Sequence, residues 1–238
     1  MSKAMDLFKL DGKVAVVTGG GRGLGFFAAE GLAEAGADIA ICGRGVGGDL
    51  DKAAEKIRAT GRKCIPIKCD VAEEKDVLEM AEKVKNRFGK CDILVNNAGI
   101  AGTMPTEQFT SEDWTRMMDV NLKGTFQCCR EIGKLMIAQS SGSIINLSSE
   151  NGQVGFSVGM TAYATSKIGL VGLSRSLAVE WGKHNIRVNT LLPGNMQEGM
   201  MEDLKDKESE FYQYAGEPFL NLIPLTRFGN GDDIKGAI

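Results

Sequence analysis

Val14-Ala15-Val16-Val17-Thr18-Gly19-Gly20-Gly21-Arg22-Gly23-Leu24-Gly25 is the stretch that decides the fold. Its first five residues form a short apolar, β-branched run, the composition of a strand buried on both faces. Five of the next seven residues are glycine, and a helical pattern follows from about Leu24 to Ala35, ended by Gly36. Strand, glycine turn and helix in that order suit a phosphate. The turn removes Cβ atoms where backbone must approach a ligand. The helix start then offers unpaired N–H groups and a positive dipole end.

The alternation repeats downstream. Asp38 to Cys42, Ile65 to Cys69, Asp92 to Val95, Ser143 to Leu147 and Ile186 to Leu192 read as further strands. Asp49 to Thr60, Glu73 to Phe88 and Thr161 to Trp181 read as helices between them. Ser111 to Ala138 reads as one long helix, with Ser111 as its cap and Glu112 and Asp113 in its first turn. Strands alternating with helices imply right-handed crossovers and a parallel sheet. The expected fold class is α/β: a single domain over residues 1–238, doubly wound, with helices on both faces. Residues 195–229 break the pattern and are rich in Met, Glu, Lys and aromatics. They are expected to form an irregular helical lid over a substrate.

Composition excludes several function classes. The chain has 238 residues, with 28 basic and 31 acidic side chains and a net charge of -3. It has no basic stripe, so nucleic acid is not an expected partner. Lys3, Asp6, Lys9 and Asp11 interrupt the N-terminus, no apolar run is long enough to span a bilayer, and a cytoplasmic location without membrane contact is expected. Cys42, Cys64, Cys69, Cys91, Cys128 and Cys129 lack C-x-x-C spacing, and His184 is the single histidine. Buried reduced thiols, and no metal, are the expectation.

Further motifs follow in order: Asn96-Asn97-Ala98-Gly99, Asn121, Ser149, Tyr163-x-x-x-Lys167 and Pro193-Gly194. With the T-G-x-x-x-G-x-G spacing from Thr18 to Gly25, this set resembles the short-chain dehydrogenase/reductase family, over about Leu10 to Ile238. The resemblance implies a Rossmann-type fold and a hydride transfer between a nicotinamide cofactor and a small carbonyl or alcohol. It implies cofactor contacts at Thr18, Gly19, Gly21, Arg22, Gly23, Leu24, Gly25, Asp70, Val71, Asn97, Ala98, Gly99, Pro193, Gly194 and Met196. It implies that Tyr163 and Lys167 serve both cofactor binding and catalysis, with Ser149 and Asn121 completing the catalytic set, Asn121 as a helix-kinking asparagine that anchors a water relaying protons to Lys167. Ser148 and Ser149 both follow the fifth strand, and alignment through Gly152 favours Ser149.

An acid at the end of the second strand binds a ribose 2′-hydroxyl, whereas an arginine there suits a 2′-phosphate. Here that strand ends Cys42-Gly43-Arg44. Arg44, with Arg22 in the glycine turn, therefore favours NADP(H) over NAD(H). Tyr163 and Lys167 are four apart on one helical face, so an ammonium close to the phenol is expected to lower its pKa. Polar Glu150, Asn151 and Gln153 suggest a sugar, sugar acid or polyol, and the resemblance also permits a 3-oxoacyl thioester of an acyl carrier protein.

Two rivals remain. Gly155 to Gly159 matches G-x-S-x-G, the elbow of serine hydrolases, with His184 as its one possible base. A dinucleotide-binding regulator without catalysis is the other. Two departures from the family stand out. Glu198 occupies a position where relatives carry Thr, and the chain stops at Ile238 within a predicted helix, where relatives continue into a last strand. By the same resemblance, the long helices at 111–138 and 161–181 imply a homodimer or homotetramer.

Overall fold

The computed structural model describes residues 4–45, 48–155, 159–197, 220–221 and 223–238. Six parallel strands form one sheet: β1 (Val14–Thr18), β2 (Asp38–Gly43), β3 (Cys64–Lys68), β4 (Ile93–Asn96), β5 (Gly142–Leu147) and β6 (Ile186–Leu191). Their spatial order is β3-β2-β1-β4-β5-β6. The order reverses between β1 and β4, which opens a crevice at the carboxyl ends of those strands. This is the single-domain, doubly wound fold that the alternation implies.

The helices are α1 (Gly23–Glu34), α2 (Asp49–Ala59), α3 (Glu74–Phe88), α4 (Ser111–Met118), α5 (Gly124–Gln139), α6 (Thr161–Trp181) and α7 (Gly231–Lys235). One apolar layer joins Ala28, Leu32, Leu50 and Ile57 of α1 and α2 to Ile39, Ile41 and Val95 of the sheet. The opposite layer packs Met80, Cys128, Ile132, Met136 and Trp181 of α3, α5 and α6 against Val16, Leu94 and Ile144. All six cysteines are free and buried. Burial pushes the thiols of Cys64, Cys91 and Cys129 up to about 12, so they pack as apolar groups.

The long helix expected over 111–138 is two helices. A five-residue π turn, Asp119–Lys123, separates α4 from α5. Asn121 lies in that turn and is fully buried. Its Oδ1 accepts from the Ile100 N–H at 2.8 Å and its Nδ2 donates to the Ile100 carbonyl at 2.9 Å. A local widening of this kind tends to mark a functional position. The α4 cap is Thr110 rather than Ser111, with Thr110 Oγ1 accepting from the Asp113 N–H at 3.1 Å.

Most of the expected lid, residues 198–219 with 222, lies outside the described residues, as does Glu198. Its two ends meet. Met196 bridges to Gly229, Gln197 N–H donates to the Gly229 carbonyl at 2.9 Å, and Gly229 N–H donates to the Asn195 carbonyl at 2.9 Å. Behind this neck α7 docks on α1, where Lys235 Nζ lies 2.7 Å from Glu30 and 2.8 Å from Glu34.

Candidate active site

The glycine turn is built by close approach. A Cβ on Gly25 would lie 2.3 Å from both Asn97 Nδ2 and the Gly19 carbonyl oxygen. Gly19 has φ +66°, and its Cβ would fall 2.8 Å from Asn97 Nδ2. Thr18 Oγ1 accepts from the N–H groups of Asn97 and Ala98, each at 3.0 Å, and Asn97 Nδ2 donates to the Thr18 carbonyl at 3.0 Å. Thr18 and Asn97 thus lock the ends of β1 and β4 together under the turn. Gly20, which sequence reasoning passed over, is equally constrained: its Cβ would strike Ile41 Cγ2 at 2.6 Å. The run of three glycines was the available signal.

Helix α1 starts without a side-chain cap and without an acid in its first turn. The first N–H groups of a helix have no intrahelical partner, so α1 presents donors and a positive dipole end at the crevice. Gly23, Leu24 and Gly25 form that first turn, and Arg22 is exposed at its N-cap. A crowded turn without Cβ atoms beneath an uncapped helix fits a dinucleotide diphosphate.

Beside it, Arg44, Asp70, Ser111, Thr115 and Arg116 line an open cleft of about 470 Å³. Asp70 Oδ1 accepts from the Ala72 N–H at 3.1 Å, shaping the turn after β3. Val71 is buried, its carbonyl accepting from Gln127 Nε2 at 2.8 Å. Arg44 lies in this cleft at the end of β2, and Arg22 is exposed at the N-cap position of α1. Met196 is buried with its sulfur packed toward Gly229, which leaves only its main chain for the crevice.

At the ends of β5 and β6, Ser149, Tyr163 and Lys167 converge. Lys167 is buried, and its Nζ donates to the Leu147 carbonyl at 2.9 Å and lies 5.6 Å from the Tyr163 ring centre. Burial pushes the Lys167 amine down to about 8. Burial raises the Tyr163 phenol, and a hydrogen bond with the Ser149 side chain opposes that rise. The expected lowering of the phenol pKa by Lys167 is therefore not found. The reason is desolvation, which penalises the charge of both groups. The two serines differ in kind. Ser148 Oγ donates to the Lys167 carbonyl at 2.7 Å and ties α6 to the sheet, whereas Ser149 faces the phenol.

Asn121 stands one step behind. Its Nδ2 donates to Ser166 Oγ at 3.0 Å, and Ser166 Oγ donates to the Tyr163 carbonyl at 2.7 Å. Ser166 also escaped sequence reasoning, having no motif of its own. A Cβ on Gly99 would sit 3.3 Å from Asn121 Oδ1 and 3.6 Å from Lys167 Nζ, so Gly99 keeps the floor of the site open. Pro193 accepts at its carbonyl from the Glu150 N–H at 3.1 Å, bringing the Pro193-Gly194 turn against Ser149.

The hydrolase elbow finds no base. Gly155 and Gly159 belong to the loop before α6, residues 156–158 lying outside the described residues. His184 ends the turn after α6, a helix of 21 residues and hence roughly 30 Å long, at the opposite edge of the sheet. Among the described residues no cluster of three His, Cys, Asp or Glu could hold a metal, and no helix is long and apolar enough to cross a membrane.

The sequence model of the short chain dehydrogenase family matches residues 13–209, and the chain belongs to that family of NAD(P)-dependent oxidoreductases of alcohol and carbonyl groups. It is 37% identical to the 3-oxoacyl-acyl-carrier-protein reductase FabG of Staphylococcus aureus, over 95% of this chain and 89% of the relative. It is also 37% identical to D-threitol dehydrogenase of Mycolicibacterium smegmatis, over 100% of this chain and 90% of the relative. Among solved structures it resembles NAD+-bound xylitol dehydrogenase, with a TM-score of 0.89 and 33% identity over 96% of this chain and 90% of the other.

Proposed function

We propose that this oxidoreductase interconverts a carbonyl and an alcohol on a small sugar, sugar acid or polyol, with NADP(H) as cofactor. The observation that carries the reading is the meeting of Ser149, Tyr163 and Lys167 beside the uncapped start of α1. Gly19 to Gly25 would hold the diphosphate, Asp70 and Val71 the adenine, Asn97 to Gly99 the adenosine ribose, and Pro193, Gly194 and the Met196 main chain the nicotinamide end. Bound there, the nicotinamide supplies or takes up the hydride at the substrate carbon.

The chain's own residues handle the proton. In reduction the Tyr163 hydroxyl donates to the substrate oxygen, and in oxidation it takes that proton back. Ser149 Oγ holds the same oxygen as charge develops on it. Lys167, an amine pushed to about 8, can carry or release a proton near neutrality and so replenish Tyr163. Asn121 is a positioning residue that sets Ser166 and the first turns of α6.

Arg44, exposed at the cleft that Asp70 also lines, supports the 2′-phosphate and hence NADP(H). Exposed Phe126 on α5 and Ile168 on α6 support a homodimer or homotetramer through those helices. Six free thiols suit a reducing cytoplasm. Similarity to FabG favours one second reading, reduction of a 3-oxoacyl thioester.

Initial rates with NADPH and NADH, and with their oxidised forms, on ketoses, ketogluconates, polyols and acetoacetyl thioesters test both readings. Tyr163→Phe is expected to reduce turnover by about a thousandfold or more while cofactor binding, read by fluorescence titration, is retained. Unchanged turnover in that variant would refute the proton-transfer role.

A further inference from the structure

Glu150 is the one acid placed inside the catalytic turn, directly after Ser149. Its backbone N–H is fixed on the Pro193 carbonyl at 3.1 Å, so the residue is held between Ser149 and the Pro193-Gly194 turn. Its carboxylate lies over Gly194: a Cβ there would sit 3.0 Å from Oε2 and 3.6 Å from Oε1. The side chain is half-buried, burial raises its pKa, and no hydrogen bond or opposite charge among the described residues offsets that cost. A partly desolvated carboxylate without a partner is costly to fold and is retained where a ligand supplies the missing donors.

We propose that Glu150 is a specificity-determining residue that selects a neutral polyol or sugar, by accepting a hydrogen bond from a hydroxyl next to the reacting carbon, and rejects substrates with a carboxylate there. The proposal rests on the oxidoreductase reading above and narrows it, removing the sugar acids. A site built to bond a substrate hydroxyl discriminates strongly against ligands that leave its polar group unpaired. A second negative charge about 5 Å from Glu150 would weaken binding roughly a hundredfold at an intermediate effective dielectric.

The test uses the full chain with D-threitol and xylitol as neutral probes and D-threonate and D-xylonate as their acid counterparts. Wild type is expected to favour the neutral member of each pair by at least about tenfold in kcat/KM. Glu150→Gln should shrink that ratio by about tenfold or more, and Glu150→Asp should keep its direction. A general folding defect would lower both members in parallel and leave the ratio alone, so a parallel loss overturns the proposal, as does a wild type that prefers the acids. A second measurement needs no variant. D-threonamide, isosteric with threonate but uncharged, should compete with D-threitol at least about tenfold better than threonate does, and equal competition overturns the proposal. If wild type oxidises no probe while it still reduces acetoacetyl thioesters, the polyol reading itself has failed and the charge filter falls with it.

Discussion

The two halves of the crevice are specified by opposite means. Around Gly19 to Gly25 the backbone would do the proposed binding, and the sequence requirement is for atoms that are not there: an added methyl at Gly19, Gly20 or Gly25 would come within 2.8 Å of its neighbours. Around Ser149, Tyr163 and Lys167 the side chains would act: Lys167 Nζ is held by the Leu147 carbonyl, Ser149 Oγ accepts from the Asn151 N–H, and the Tyr163 phenol pairs with Ser149. The first half is closely filled, and in the second the buried Lys167, Ser148 and Asn121 have defined partners. A steric change should therefore break the first half outright, whereas polar changes should retune the second in degrees.

The largest effect belongs to the first half. Gly25→Ala drives a methyl into Asn97 and Gly19, a collision that only a shift of the turn can relieve. The expected outcome is a rise of about a hundredfold or more in the dissociation constant for NADP(H), measured by fluorescence titration. Gly182→Ala, at the far edge of the sheet with nothing within 4 Å of the added methyl, should leave that constant unchanged. Equal affinities in the two variants would show that the turn is not a diphosphate cradle.

The same contrast explains what the sequence made legible. All six strands were readable: β1, β2 and β4 are short apolar runs buried in the sheet, β3, β5 and β6 keep buried apolar residues at intervals, and the boundaries moved by only one residue, as at β3, which begins at Cys64 instead of Ile65. The glycine turn was readable because a steric requirement leaves a compositional trace. The break in the 111–138 helix was legible only through the resemblance, which marks Asn121 as a helix-kinking asparagine; its cause, Asn121 reaching the backbone of Ile100, lies outside the helix itself. Helical periodicity runs through such a turn almost undisturbed. The pKa values are hidden from the sequence for a related reason. Four-residue spacing puts Lys167 beside Tyr163, but it says nothing of the burial that holds the amine down to about 8 and the phenol up. Ser148 and Ser149 are likewise adjacent and alike in sequence, and only their opposite orientations distinguish the strut from the group at the phenol.

A smaller effect is expected at the boundary between the halves. Arg44 is exposed at the cleft beyond β2, where solvent moderates any single charge. Arg44→Asp should lower the ratio of kcat/KM for NADPH over NADH by about tenfold, through loss of the phosphate contact and gain of a carboxylate suited to a ribose hydroxyl. Arg22→Ala, outside that cleft, should change the ratio less. A larger change at Arg22 would move the 2′-phosphate from the end of β2 to the start of α1.

The smallest effect tests whether the second half stores a cost for function. Burial raises the Glu150 pKa, so folding favours its protonated form. Such a group destabilises the folded state once the pH exceeds its folded pKa, and the penalty disappears as the pH falls below the ordinary carboxylate range. Glu150→Gln, neutral at every pH, should therefore melt slightly higher than wild type near pH 7, by on the order of a degree, with the gap closing as the pH approaches 4. Asp233 gives the opposite sign: its carboxylate, paired with Arg227 at 2.7 Å, is held below the usual range. Asp233→Asn should lower the melting temperature at pH 7 and lose that effect in acid. If Glu150→Gln instead melts lower at pH 7, its carboxylate is a structural partner like Asp233, and the free acceptor that the substrate is to fill does not exist.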